Sequence, residues 1–233
     1  MKTLGVLGGM SWESTALYYK LINQGVSRRL GGLHSAQLLL HSVDFALIAA
    51  RQKTNDWDGA ATVLAQAAPG LKRAGAEGLV LATNTMHKVA ARIESEGGLP
   101  LLHIADATGG ALRDAGVKRA AFLGTRFSME DPSIVLRRLG VETLVPDEPG
   151  RALMHRVIFD ELCRGVVAAA SRNAVVGLIE GLKSQGAEAV ILGCTEITLL
   201  IDAACSPLPV FDTTALHAAS AVDWMLTDLE TKT

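Results

Sequence analysis

Short apolar segments alternate with longer stretches of helical periodicity along the whole chain. Apolar runs bounded by glycine, proline or polar residues are typical of strands buried in a parallel sheet, and here they fall at residues 4–7, 36–40, 78–81, 101–104, 120–123, 141–145, 189–192 and 210–211. Apolar residues at helical spacing predict helices at 13–29, 58–74, 107–115, 129–139, 152–164 and 172–185. This order predicts an α/β fold in which helices cover both faces of parallel sheets.

The chain also contains an internal repeat. The segment GAEGLVLATNT, which begins at residue 75, aligns without gaps with GAEAVILGCTE, which begins at residue 186. Two shorter matches occur in the same order, LGG with LGT before the long segment and LP with LP after it. Three matches in one order indicate that an α/β unit has been duplicated.

The duplication predicts two flavodoxin-like halves that are related by a pseudo-twofold axis. We expect residues 1–105 and 208–233 to form the first half and residues 106–207 to form the second. Ligands of open parallel sheets bind outside the carboxyl ends of the strands. The two halves are therefore expected to face each other across a cleft, with Thr83 on one wall and Cys194 on the other.

These two side chains suggest chemistry at an acidic carbon atom. Moving a proton from one face of a carbon to the other requires an acid/base group on each face. Cys194 directly follows a predicted strand and precedes a predicted helix, whose N-terminus would favour the reactive thiolate; the alternative is an inert buried cysteine. Thr83 is a much weaker acid with no adjacent base in the sequence, so we expect the two enantiomers of a substrate to react at different rates. His87, four residues further on, could relay protons to Thr83 or simply pack locally.

Composition and charge exclude several classes of partner. The net charge of −2 gives no electrostatic reason to expect nucleic acid or an anionic membrane, and no apolar stretch has the roughly 18 residues of a membrane helix. Lys2 is followed by an apolar run that is too short for a secretion signal. The three cysteines are odd in number and lack zinc spacing, which predicts reduced thiols in the cytoplasm and no metal site.

Three motifs give the chain a family resemblance. GVLGGM at residues 5–10, TNTMH at 83–87 and GCTE at 193–196 resemble the motifs of the aspartate/glutamate racemase family, and the likeness extends from about residue 2 to residue 225. The resemblance implies an isomerase that works without pyridoxal phosphate or a metal, through two opposed acid/base residues. The usual family pattern has cysteine in both later motifs, whereas this chain has Thr83 in the first, as does the branch that prefers L-glutamate.

The resemblance also implies a set of pocket residues for a small amino-acid substrate, aspartate or glutamate. Besides the catalytic pair Thr83 and Cys194, this set comprises Met10, Gln52, Asn84, Thr85, Thr125, Arg164, Thr195 and Glu196. For Asn84 and Thr85 the alternative is plain helix capping. Arg164 takes the place of a lysine that grips the side-chain carboxylate in aspartate-specific members, but it could equally be an exposed arginine at a helix end. The early arginine of those members is missing from residues 43–48, so an aspartate-only pocket is not implied.

Two other readings of the sequence remain open. Related members of the same superfamily use a single thiol to isomerise or decarboxylate diacids. Proteins that bind small molecules without reacting with them can also consist of two similar α/β lobes. A racemase that had evolved into a binding protein would be expected to lose one of its catalytic cysteines. The family resemblance further implies a homodimer.

Overall fold

The structure, a computed structural model, describes residues 1–130 and 138–230. Most of the helix predicted at residues 129–139 lies outside this part. The strands are β1 (Leu4–Gly8), β2 (Leu38–Ser42), β3 (Gly78–Leu81), β4 (Leu101–Leu102), β5 (Arg119–Gly124), β6 (Glu142–Leu144), β7 (Ala189–Gly193) and β8 (Val210–Asp212). The α-helices are α1 (Trp12–Leu30), α2 (Phe45–Lys53), α3 (Trp57–Arg73), α4 (Ala90–Gly97), α5 (Ile104–Asp114), α6 (Arg126–Glu130), α7 (Glu148–Arg156), α8 (Ala169–Ser184) and α9 (Thr213–Glu230).

The eight strands form two parallel sheets of four strands with the same topology. The order is β2-β1-β3-β4 in the first sheet and β6-β5-β7-β8 in the second, so each sheet has the 2-1-3-4 order of a flavodoxin-like unit. The two central strands of each sheet are almost wholly buried, whereas the outer strands are only partly so. The predicted α/β class with two similar parallel-sheet halves is confirmed.

The first sheet is covered on both faces, as its alternating side chains require. Leu7, Leu79 and Leu81 point to one face and join a core built on α2, α3 and α4. Val6 and Val80 point to the other face and join a core built on α1 and α9. Successive residues of a strand project to opposite faces, so these strands must be apolar throughout, which is the pattern visible in the sequence.

The chain divides into two units at slightly different points from those expected. Unit 1 comprises Met1–Ile104 and the chain from His217 onward, and unit 2 comprises Ala105–Leu216. The expectation that residues 208–216 belong with the first half is wrong, because β8 pairs with β7 in the second sheet. The return to the first half begins only within α9, whose apolar residues from Ala218 to Leu226 pack against β1 and β3.

Several helices differ from the sequence prediction. The helix expected at residues 152–164 starts earlier, as α7, and continues as a π-helical turn (Val157–Glu161) and a 3-10 turn (Leu162–Arg164). The sequence pattern did not reveal α2 and α4, which have nine and eight residues, because so short a helix shows barely two turns of periodicity. The C-terminal helix α9 was also missed.

Two paired glycines make room for a buried ring at the end of the second sheet. Gly124 of β5 is paired with Gly193 of β7, and the ring of Phe122 lies against both. A Cβ atom built on Gly193 would come within 2.3 Å of the Phe122 ring, and one on Gly124 within 3.0 Å. Phe122 is fully buried, so the ring has little room to move away.

We therefore predict that Gly193→Ala destabilises the protein by about 2 kcal/mol, because overpacking a buried contact forces strain on its neighbours. Gly181→Ala is the matched control, since Gly181 lies within α8 with no atom near its missing Cβ; it should stabilise the protein by about 0.5–1 kcal/mol. Denaturant unfolding monitored by circular dichroism measures both changes. Equal effects of the two substitutions would contradict the packing argument.

Candidate active site

In unit 1, the predicted site residues gather at the carboxyl edge of the first sheet. β1 and β3 are neighbours with Leu7 opposite Leu81, so the loops that follow them start side by side. Met10 lies in the loop after β1 and Thr83 in the loop after β3. Met10 is buried within the core cluster that also contains Met86, and its side chain contributes packing there.

Thr83 is held by its main chain and leaves its hydroxyl available. The Nδ1 atom of His87 lies 2.8 Å from the Thr83 carbonyl oxygen, to which it donates. The residue is partly exposed, and its hydroxyl makes no hydrogen bond to any other residue that the structure describes. No base among the described residues of unit 1 is therefore placed to activate this hydroxyl, and His87 bonds to the main chain of Thr83 and not to its side chain.

The three remaining site residues of unit 1 are buried polar side chains. Asn84, Thr85 and Gln52 are between 5% and 7% exposed. Asn84 precedes a 3-10 helix (Thr85–Val89) but does not cap it with its side chain, which removes capping as the explanation for this asparagine. The amide of Gln52, on α2, donates to the Met86 sulfur at 3.2 Å, which ties α2 to the segment that carries Thr83.

In unit 2, the corresponding edge of the second sheet carries Thr125 and Cys194. Each follows one of the paired glycines at the ends of β5 and β7, so the two residues begin adjacent loops. Thr125 is buried, and its Oγ1 lies 3.2 Å from the Ser128 hydroxyl in the first turn of α6. The same register that brings Met10 and Thr83 to one edge in unit 1 thus brings Thr125 and Cys194 to one edge in unit 2.

The thiol of Cys194 has a carboxylate as its partner. Its Sγ atom donates to Oε2 of Glu196 at 2.9 Å, and the hydroxyl of Thr195 donates to the same oxygen at 3.0 Å. Glu196 is only 8% exposed. A buried carboxylate that accepts two hydrogen bonds is fixed in position, so Glu196 orients the thiol as well as accepting from it.

The expected depression of the thiol pKa by a helix N-terminus is wrong. The loss of water around its sulfur raises the pKa of Cys194 well above its usual range, and the charge of Glu196 and the hydrogen bond to it raise the pKa further. A backbone hydrogen bond from Glu196 opposes these effects only in part. The segment that follows is a 3-10 helix of five residues (Thr195–Leu199), too short to develop the dipole that the prediction assumed. At neutral pH Cys194 is therefore a protonated thiol.

Arg164 occupies a different kind of environment from the other site residues. It ends the 3-10 turn that follows the π-helical turn, its side chain is 70% exposed, and its guanidinium lies 3.9 Å from Asp160. An exposed ion pair of this kind contributes little to stability. The neighbouring Cys163 is also exposed, and partial desolvation of its sulfur together with the charge of Glu196 raises the pKa of its thiol to about 12.

Three histidines lie together behind Thr83. The ring of His87 is 4.5 Å from that of His103 and 5.7 Å from that of His217, and all three residues are buried. Burial lowers the pKa of His87 well below its usual range, and His103 and His217 lower it further. Among residues 1–130 and 138–230 no group of three His, Cys, Asp or Glu side chains is arranged to hold a metal ion.

The chain belongs to the Asp/Glu/Hydantoin racemase family, whose model matches residues 7–221. Broad specificity amino-acid racemase RacX of Bacillus subtilis (strain 168) is 23% identical over 233 residues, which cover 96% of this chain and 98% of that protein. A Yersinia pestis protein proposed to be an Asp/Glu racemase has a crystal structure with a TM-score of 0.91 and 50% identity, covering 97% of this chain and 100% of that one. An aspartate racemase homologue from Pyrococcus horikoshii OT3 has a TM-score of 0.82 and 32% identity over 97% and 99% of the two chains.

Family and structural relatives together show that the protein is an isomerase of the racemase type. Within the described residues, no helix is both long enough and apolar enough to cross a membrane.

Sequence reasoning missed two features of the site. The first is the role of Glu196 as partner of the thiol, for which the spacing Cys194-x-Glu196 was the available signal. The second is the histidine cluster, because His87, His103 and His217 are separated in the sequence and meet only where α9 packs against the first sheet.

We predict that Glu196→Gln makes Cys194 more reactive toward an alkylating agent. The substitution removes a negative charge that raises the thiol pKa, so the thiolate fraction at pH 8 should rise and alkylation should accelerate at least about threefold. The measurement is the iodoacetamide labelling rate in a background with Cys163→Ser and Cys205→Ser, followed by mass spectrometry. A labelling rate that falls or stays the same would show that Glu196 does not hold the proton on sulfur.

Proposed function

We propose that the protein interconverts the enantiomers of an acidic amino acid, aspartate or glutamate, with Cys194 and Thr83 as the acid/base groups on the two faces of the α-carbon. The observation that carries the proposal is the 2.9 Å contact between the Cys194 thiol and the Glu196 carboxylate. A structural cysteine needs no such partner, whereas a cysteine that must give and take a proton does. The duplicated strand order supports the pairing, because Thr83 and Cys194 follow equivalent strands.

Glu196 makes a protonated thiol compatible with base catalysis. Transfer of the thiol proton to Glu196 converts a thiol and a carboxylate into a thiolate and a carboxylic acid, with no change in net charge. The thiolate then removes the α-proton, and Cys194 returns to the thiol form. Removing an α-proton also requires donors that stabilise the negative charge on the substrate carboxylate, and the buried side chains of Asn84, Thr85 and Thr195 are the groups we assign to this role.

Thr83 is proposed to complete the inversion as a proton donor. Its hydroxyl gives a proton to the opposite face of the carbanion and takes one back from water. The carboxylic acid of Glu196 releases its proton to water in turn, which restores the resting thiol, carboxylate and hydroxyl without a net change in protons. Because no base in the described part of unit 1 assists the Thr83 hydroxyl, proton donation by Thr83 should be slow in comparison with return of a proton by Cys194. The enzyme is therefore expected to exchange the α-hydrogen of one enantiomer more often than it inverts the carbon.

The assignment of an acidic substrate rests on the family and on the relatives that act on, or are named for, aspartate and glutamate. Arg164 is proposed to bind the side-chain carboxylate of the substrate, because its exposed guanidinium has only a weak ion pair with Asp160 to give up and its planar fork suits a carboxylate. A catalytic thiol also requires a reducing compartment, which supports a cytoplasmic location. A homodimer remains part of the proposal and is tested by light scattering of the purified protein.

The proposal predicts deuterium incorporation that depends on Cys194. Purified protein in deuterium oxide should remove the α-hydrogen signal of glutamate or aspartate in proton NMR spectra, and one enantiomer should lose it faster than the other. Cys194→Ser should abolish the exchange, because serine keeps the size and hydrogen bond but ionises far less readily. Exchange that survives in this variant would rule out Cys194 as the base.

The absence of exchange from all four enantiomers, together with saturable binding, would instead support the binding-protein reading. Consumption of a diacid with release of carbon dioxide would support a decarboxylase of the same fold.

The role of Thr83 predicts a change in the outcome of the reaction and not only in its rate. Thr83→Ala should lower the ratio of inverted product to deuterated starting enantiomer by about a hundredfold or more, the lower end of the range for loss of one acid/base group. Thr83→Ser, which keeps the hydroxyl, should retain the ratio, and Thr83→Cys should raise it. Chiral chromatography with mass detection measures the ratio at low conversion. An unchanged ratio in Thr83→Ala would exclude Thr83 as the donor.

A further inference from the structure

His87 connects the segment that carries Thr83 to the next strand of the first sheet. Its Nδ1 atom lies 2.8 Å from the Thr83 carbonyl oxygen, and its Nε2 atom lies 3.3 Å from the backbone nitrogen of Ile104. Ile104 follows the edge strand β4, which pairs with β3. The imidazole thus bridges two neighbouring strand ends at the edge where Thr83 lies.

The partners of His87 define a single neutral tautomer. The Thr83 carbonyl oxygen can only accept a hydrogen bond, so Nδ1 carries the proton. The backbone N–H of Ile104 can only donate, so Nε2 must be unprotonated. An imidazolium would place a second N–H against the N–H of Ile104 and lose that hydrogen bond. The ring is therefore able to make both contacts only while it is neutral, and burial favours the neutral form because it lowers the pKa of His87.

The ring is also fixed from behind. His217 of α9 packs against it at 5.7 Å between ring centroids, donates from Nε2 to the Leu102 carbonyl at 2.9 Å and accepts from the Tyr18 hydroxyl at 2.8 Å. Tyr18 and His217 are fully buried. These contacts tie α1 and α9 to the end of β4, so the wall behind His87 is built from side chains whose hydrogen bonds are satisfied.

From this arrangement we propose that His87 is a positioning residue for the Thr83 half-reaction: its neutral imidazole holds the Thr83 main chain against the end of β4 and thereby aims the hydroxyl at the substrate α-carbon. This inference rests on the proposed function. It differs from a proton relay, because the imidazole bonds to the carbonyl of Thr83 and not to its hydroxyl.

Two substitutions of His87 separate its two contacts. In His87→Asn the side-chain amide takes the place of Nδ1 and can still donate to the Thr83 carbonyl, but the Nε2 atom that faces the Ile104 nitrogen is lost. In His87→Gln the side-chain oxygen reaches the position of Nε2 and can accept from Ile104, but the donor to Thr83 is lost. Each variant loses one of the two buried hydrogen bonds of His87, so both should be less stable than the parent.

The experiment compares the ratio of inverted product to deuterated starting enantiomer in the parent and in these variants. We expect His87→Gln to lower the ratio roughly tenfold, since a small misplacement of a reacting group has effects of this order or larger, and His87→Asn to keep it within about twofold of the parent. The ratio comes only from folded molecules, so partial unfolding does not change it. Tyr18→Phe is the control. It removes the hydrogen bond between Tyr18 and His217 but keeps both hydrogen bonds of His87, so it should leave the ratio unchanged.

Parallel losses of exchange and inversion in both variants would overturn the inference and leave His87 as a structural residue. So would a lower ratio in His87→Asn than in His87→Gln. If Thr83→Ala lowers the ratio and His87→Gln does not, only the inference about His87 fails, whereas an unchanged ratio in Thr83→Ala means that the proposed function fails. A second measurement needs no substitution: nitrogen-15 NMR at pH 7 should show His87 protonated at Nδ1 alone, and an imidazolium or an Nε2-protonated ring would contradict the proposal.

Discussion

The chemistry proposed for this protein depends on one hydrogen bond, between the thiol of Cys194 and the carboxylate of Glu196. The bond places two acidic groups and one proton in a buried setting, where a second negative charge is costly. In the absence of substrate the proton therefore stays on the sulfur, and the pKa of Cys194 is raised. The same contact provides an acceptor for that proton, the Glu196 carboxylate, when the thiolate is needed. One interaction therefore accounts both for an unreactive thiol in the resting protein and for its proposed activity.

The fold supplies the position of this contact and of its counterpart in unit 1. Paired strands end in register in each sheet, and the glycine pair before Thr125 and Cys194 leaves room for the ring of Phe122. In unit 1 the imidazole of His87 bonds to the main chain of Thr83. Duplication thus provides two similar frameworks, and the local partners make them chemically different: a carboxylate acts on the side chain of Cys194, whereas a histidine acts only on the backbone of Thr83.

The sequence was sufficient for the class of fold because buried parallel strands must be apolar on both faces, and β1, β3, β5 and β7 are. It also singled out Cys194, which stands directly after such a strand, as the candidate base. It failed for the state of the thiol, because a pKa depends on burial and on the distance to Glu196, neither of which a linear pattern contains. It failed for residues 208–216 because the pairing of β8 with β7 is a tertiary contact.

Infrared difference spectroscopy tests the proton shared by Cys194 and Glu196 most directly. At neutral pH, in the absence of substrate, the spectrum of the Cys163→Ser and Cys205→Ser background should contain an S–H stretching band that disappears in Cys194→Ser. Addition of glutamate or aspartate should weaken this band and produce a carboxylic-acid C=O band that is absent from Glu196→Gln. A resting protein without the S–H band would mean that Cys194 is already a thiolate, and an S–H band that persists without any carboxylic-acid band during turnover would contradict transfer of its proton to Glu196.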